Sequence, residues 1–104
     1  MATSYDFHPA ALLEYTEAAS FYLHAASPKI AQSFVAAVEF AVAALVTSPA
    51  QFRVVEEPEI RRYVLRRFPF AIYFQWDQAN HRITIFAVMH HSREPGHWQT
   101  RLAE

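Results

Sequence analysis

The densest chemistry in the chain lies in one run, HHSREPGHWQTR, from His90 to Arg101. Histidine exchanges protons near neutral pH. Arginine presents a planar fork of donors that fits carboxylates and phosphates. A second basic cluster, Arg61, Arg62, Arg66 and Arg67, lies in the run IRRYVLRRF. These are the residue types that RNA cleavage by a 2′-hydroxyl needs: a base, an acid and cations to hold the phosphorane. In that chemistry Arg61 and Arg93 are the candidate cation donors, and His90 or His97 the candidate acid–base groups. Residue types alone do not bring them together. His90, His91, His97 and Glu94 match neither a helical His-x-x-x-His pair nor a zinc pattern, so no metal is expected. No serine stands in an elbow motif, and Glu56, Glu57 and Glu59 read as a solvated loop.

What surrounds these residues limits the chemistry further. The chain has 104 residues, one Gly and no Cys. A phosphate-binding loop needs several glycines, and disulfides, thiolate metal sites and thiol nucleophiles need cysteine. No cofactor is expected. At this length one domain spanning residues 1–104 is expected. Its hydrophobic share is 53%, slightly above the ~45–50% usual for soluble chains. No basic, then apolar, N-terminal pattern of a signal peptide is visible, and no stretch reads as the ~18 apolar residues of a membrane span. A cytoplasmic location is the expectation.

The elements that must position the site follow from periodicity. Ser4 to Phe7 alternates as a short strand before His8-Pro9. A helix is predicted over 10–26, with Leu12, Tyr15, Ala19, Tyr22 and Ala26 on one face and Glu14 and Glu17 favoured by the dipole at its start. Ser27 is the predicted N-cap of a second helix, Lys29 to Thr47, with Pro28 at its first position. On it Ile30, Phe34, Val38, Ala41 and Leu45 form one stripe. Ala31, Val35, Val42 and Val46 form another, and Phe40 lies off the first. Three strands are predicted next: Ile60 to Phe68, Phe70 to Trp76 and Arg82 to Met89, joined by turns at Pro69 and over residues 77–81. The last is apolar enough to be a central strand covered on both faces. The resulting order, β-α-α-β-β-β, is an α+β fold, with a helical hairpin on one face of a twisted antiparallel sheet and the Arg side chains on the other. Trp76 reads as core or rim. Trp98 reads as packing over the sheet.

The formal net charge of −1 hides a division. The helical half carries Asp6, Glu14, Glu17 and Glu39 against Lys29 alone, whereas residues 61–101 hold seven arginines against Asp77 and Glu94. An anionic partner for the basic half is implied, either an acidic protein segment or a nucleic acid.

The assembled pattern resembles the RelE/ParE superfamily of toxin–antitoxin toxins, and within it the ParE-like, plasmid-stabilisation branch. HPAALLEYTEAASFY and SPKIAQSFVAAVEFAVAALVTSP carry the weaker part of the likeness. RRYVLRRFPFAIYF and ITIFAVMHHSREPGHWQTR carry the specific part. The resemblance implies a toxin of a type II system with a cognate antitoxin that wraps it. Arg61, Arg62, Arg66, Arg67 and Arg101, the apolar Val35 and Val42, and Trp98 are then the expected partner-binding residues. ParE-like members act by binding, with DNA gyrase as target. RelE-like members cut mRNA on the ribosome. Here no Tyr follows Tyr73, and a near-neutral chain is poorly suited to the ribosome. Three readings remain open: a ParE-like toxin that binds gyrase, a metal-independent endoribonuclease, and an inactive toxin-fold interaction module. The first is favoured.

Overall fold

Residues 3–92 and Arg101 are described by the computed structural model. The order is β1 (Ser4–Phe7), α1 (Pro9–Ala25), α2 (Pro28–Thr47), a 3-10 turn (Pro49–Gln51), β2 (Val54–Glu56), β3 (Ile60–Val64), β4 (Phe70–Asp77) and β5 (Arg82–His90). Both helices start at a proline, which needs no N–H partner in the first turn. The His8 ring accepts from the Ala10 amide at 3.0 Å, and Ser27 Oγ accepts from Ile30 N at 3.1 Å. Ser27 therefore caps α2 as its sequence predicts. Glu14 and Glu17 lie beyond the first turn of α1, where the dipole effect has faded. Glu14 has a different role, described below.

The strands form one sheet in the order β1-β5-β4-β3-β2. β3, β4 and β5 make the expected antiparallel meander. The sheet as a whole is mixed, because β1 pairs with β5 in parallel. The helical hairpin carries the chain from β1 to the far side of the sheet, so the meander reaches β1 running in the same direction. β2 adds a short antiparallel edge from the segment 50–59, which reads in sequence as a loop or ragged strand.

One face of the sheet holds the main core. Phe34, Val38, Ala41 and Leu45 of α2 pack there with Ile72, Phe74, Ile83, Ile85 and Val88. The predicted stripe on α2 is therefore its core stripe, although Ile30 at its start is exposed. On α1 the buried positions are Ala11 and Ala18, with Tyr15, Ala19 and Tyr22 partly buried, while Leu12 is exposed. Small side chains let α1 lie close to β5, and this turns the buried face about one residue from the predicted stripe.

By length and composition α2 is long and apolar enough to cross a membrane, contrary to the sequence expectation. Its charges are Lys29 and Glu39 alone. Its buried stripe nonetheless belongs to the core against the sheet.

A bulge shapes β5. Tyr73 pairs with Ala87 and Phe74 with Ile85, leaving Phe86 as the extra residue. Past it, Phe86, Ala87 and Met89 form a second buried cluster with Ile60, and Tyr73 packs against it. β5 is thus buried on both faces, and the face away from the helices is apolar rather than a plain of arginines.

The β4–β5 turn is held by Asp77, which accepts from Asn80 N at 3.3 Å and Asn80 Nδ2 at 2.7 Å. These bonds, chiefly the side-chain one, hold the Asp77 carboxyl below its ordinary 3.8. Their stabilisation is complete above that value and is lost as pH falls through the depressed folded value. The gap in melting temperature between wild type and Asp77→Ala is therefore expected to narrow below about pH 4. A gap that stays constant from neutral to acid pH would exclude this role.

Candidate functional site

The arginines of the basic run fall in three environments. Arg61 is paired with Phe74 in register and so shares the helix-side face. Its guanidinium lies 5.4 Å from the Trp76 ring, donates to Phe52 O at 2.6 Å and pairs with Glu59 at 3.0 Å. With its side chain only 11% exposed, Arg61 ties β3 to the segment before β2. Arg62 pairs with Tyr73, on the opposite face, and is exposed. Arg66 and Arg67 are exposed in the turn between β3 and β4, and among the described residues neither pairs with a carboxylate. That turn tightens at Pro69, where Phe70 N donates to Phe68 O at 2.8 Å.

His90 is half-buried at the end of β5, edge-on to Phe70 with ring centroids 5.1 Å apart. Its Nδ1 accepts from Ser92 N at 3.0 Å. It faces a cleft of about 200 Å³ whose other walls include Glu14, Glu17 and Phe70. Glu14 is paired with Arg101, and the Glu17 carboxylate near the imidazole repels a phosphate rather than draws it in. Arg93, His97 and Trp98 lie outside the described residues.

Arg101 folds back on the chain. It forms a two-pronged pair with Glu14, at 2.9 and 2.8 Å, and donates to Phe86 O at 2.8 Å. Glu14 Oε1 in turn accepts from Val88 N at 3.1 Å. β1 pairs with β5 only as far as Ile85. Beyond that point Glu14 and Arg101 take the place of a strand. The expectation for Arg101 treats it as a partner-binding cation; the structure gives its guanidinium these internal contacts.

Val35 is half-buried and Val42 is buried. Val42 lines a groove of about 410 Å³ with Tyr5, Phe7, Tyr15, Val38, Glu39 and Val46. Burial first, then the Glu39 carboxylate and Tyr5, push the Tyr15 hydroxyl above its ordinary value, so it stays a neutral hydrogen-bonding group. The groove joins an apolar floor from α2 to tyrosines from β1 and α1, with one carboxylate among its lining residues.

Sequence reasoning passed over two features. One is the Glu14–Arg101 pair, whose partners are 87 positions apart and leave no local pattern. The other is the outward face of Phe40, which the sequence sets off the first stripe without giving it a role and which is 71% exposed. A signal for it existed: Phe40 falls off both apolar stripes of α2, so a helix packed on one side must turn it outward.

The comparisons with known proteins agree on one fold. The family model "ParE toxin of type II toxin-antitoxin system, parDE" matches residues 5–95. No curated protein matches the sequence. Among solved structures, a chain of the chromosomal ParDE toxin–antitoxin system from P. aeruginosa superposes with a TM-score of 0.73 at 22% identity, covering 86% of this chain and 96% of that one. A chain of the toxin–antitoxin complex RelBE2 from Mycobacterium tuberculosis gives 0.57 at 19% identity, covering 86% and 99%. The isolated E. coli RelE toxin gives 0.64 at 13% identity, covering 98% of each chain.

Proposed function

Because this chain belongs to the ParE toxin family of type II toxin–antitoxin systems, we propose that it acts in the cytoplasm by binding DNA gyrase and is held inactive by a cognate antitoxin. The observation that supports this reading is the separation of Arg61 and His90, the two nuclease candidates among the described residues. Arg61 on β3 and His90 on β5 flank β4 opposite Phe74 and Phe70 respectively. Four residues along a strand and two strand spacings across put their backbones roughly 16 Å apart. Both lie on the face that the helices cover. Acid–base and cation groups must reach the same nucleotide at hydrogen-bond distance, and this spacing works against it. Arg61 is committed to Phe52 and Glu59, and His90 shares its cleft with two carboxylates.

The antitoxin half of the reading is supported by the surface. A small chain that exposes apolar side chains such as Phe40 and Leu13 has contact area to offer a protein partner.

Controlled expression without an antitoxin tests both halves. Plasmid DNA is expected to lose negative supercoiling while translation of existing messages continues. His90→Ala is expected to leave toxicity within about twofold, because no proton transfer depends on it. Fragmented mRNA with normal supercoiling would overturn the gyrase reading in favour of RNA cleavage. Co-expression of the adjacent reading frame is expected to restore growth.

A further inference from the structure

We infer that a groove between α2 and the β3–β4 turn is the dock for an acidic, apolar-tipped segment of the antitoxin, with Phe40 as its wall and Arg66 and Arg67 as its charged rim. The inference rests on the toxin–antitoxin reading above and adds the surface and the chemistry of the contact. The groove measures about 280 Å³ and is lined by Ala37, Phe40, Tyr63, Leu65, Arg66 and Arg67. Leu65 is buried and Tyr63 and Ala37 are half-buried, so the floor is apolar and built into the fold. Among the described residues Phe40 is the most exposed of the large apolar side chains. An aromatic ring held in water on a rigid helix is an anchor awaiting cover.

Charge says what covers it. Both cations of the rim are arginines, and the lining holds no carboxylate. Among the described residues neither has an ion-pair partner. Two adjacent guanidinium forks above an apolar floor match a peptide that carries carboxylates next to a leucine- or phenylalanine-like side chain. A nucleic-acid strand would use the arginines but leave Leu65 and Ala37 without a partner. The groove on the other flank of α2 has Glu39 in its lining, so an acidic segment is drawn to one side of the helix and repelled from the other. The helix thereby sets the side on which the partner docks.

The test uses the full chain and the product of the adjacent reading frame, titrated with wild type, Phe40→Ala, the pair Arg66→Glu with Arg67→Glu, and Phe21→Ala. All the altered residues are exposed, and circular dichroism checks that each variant folds. Phe40→Ala and the charge-reversed pair are each expected to weaken binding roughly tenfold or more. The pair should also flatten the dependence on salt. Phe21→Ala, an equally large ring on α1, is expected to bind within about twofold. Binding of Phe40→Ala and the charge-reversed pair at wild-type strength overturns the docking surface and leaves the toxin–antitoxin reading standing. An adjacent product that binds none of the proteins overturns both. A single-stranded RNA oligomer that binds wild type and is released by the charge reversal, while the antitoxin is not, assigns the groove to nucleic acid and overturns the inference.

Discussion

Phe34→Ala is expected to cost about 3–5 kcal/mol of folding stability, the range for truncating a buried phenylalanine. Phe34 is fully buried. Its ring lies 5.2 Å from those of Tyr22 and Phe70, 5.3 Å from Phe68 and 6.1 Å from Tyr15. It therefore joins α1, α2 and the β3–β4 turn in one contact. The neighbours come from three elements and cannot all move inward, so most of the vacated volume stays empty. Domains of this size are stable by about 5–15 kcal/mol in total, and each 1 kcal/mol moves the melting temperature by roughly 4–8 °C. A fall of more than about 12 °C is expected on these figures. Phe40→Ala, six residues along the same helix, removes an exposed ring and should stay within about 0.5 kcal/mol of wild type. Urea unfolding of the two variants makes the comparison. A Phe34 variant that loses less than about 1 kcal/mol would show that this cluster is not the centre of the fold.

The second large effect is expected at Glu14. Removing one member of a buried ion pair costs about 3–5 kcal/mol, because the other charge is left without its partner. Glu14 keeps 21% of its side-chain exposure and Arg101 keeps 10%, so water recovers part of that cost. About 2–3 kcal/mol is expected for Glu14→Ala, below the fully buried range. The variant also leaves the Val88 amide without its acceptor. Faster hydrogen exchange at Val88 than at Ile83, which sits beside β1, should accompany the loss. Arg101→Ala is expected to cost less, because Glu14 keeps its bond to Val88. The double variant should show a coupling of about 1–3 kcal/mol. Arg101→Lys should recover little of it, since an ammonium cannot make the two-pronged contact. Additive single losses would mean that the pair does not act as a unit.

These two residues differ in how far the sequence reveals them. Phe34 lies on a stripe with Val38, Ala41 and Leu45 that repeats at helical spacing, and all of them are buried. Its importance follows from local periodicity and from the need of a helix to cover its apolar side. Glu14 sits on a helix where several local explanations for a carboxylate compete, and the dipole explanation fails once the helix start is located at Pro9. Its partner belongs to the far end of the chain, and the contact exists only because β1 ends at Phe7, opposite Ile85 of β5. The basic run behaves similarly. Alternation along β3 sends Arg61 and Arg62 to opposite faces, but which face the helices cover is a matter of packing. That choice makes one arginine a structural brace against Trp76 and leaves the other exposed.

From the sequence alone come the two helices and the four main strands in their order, the cap at Ser27, the core stripe of α2, the resemblance to the RelE/ParE toxins, and the division between an acidic hairpin and a basic sheet. All of these depend on residues within a few positions of one another, or on the chain's own pattern. Only the tertiary structure decided that the sheet is mixed, that a bulge at Phe86 gives β5 a second buried cluster, that Arg61 and Arg101 are held in internal contacts, and that Phe40 stands beside Arg66 and Arg67. Each of those depends on which strand meets which edge and on which side a helix lies. Those outcomes are set by the joint packing of segments distant in the chain, where no local spacing records them.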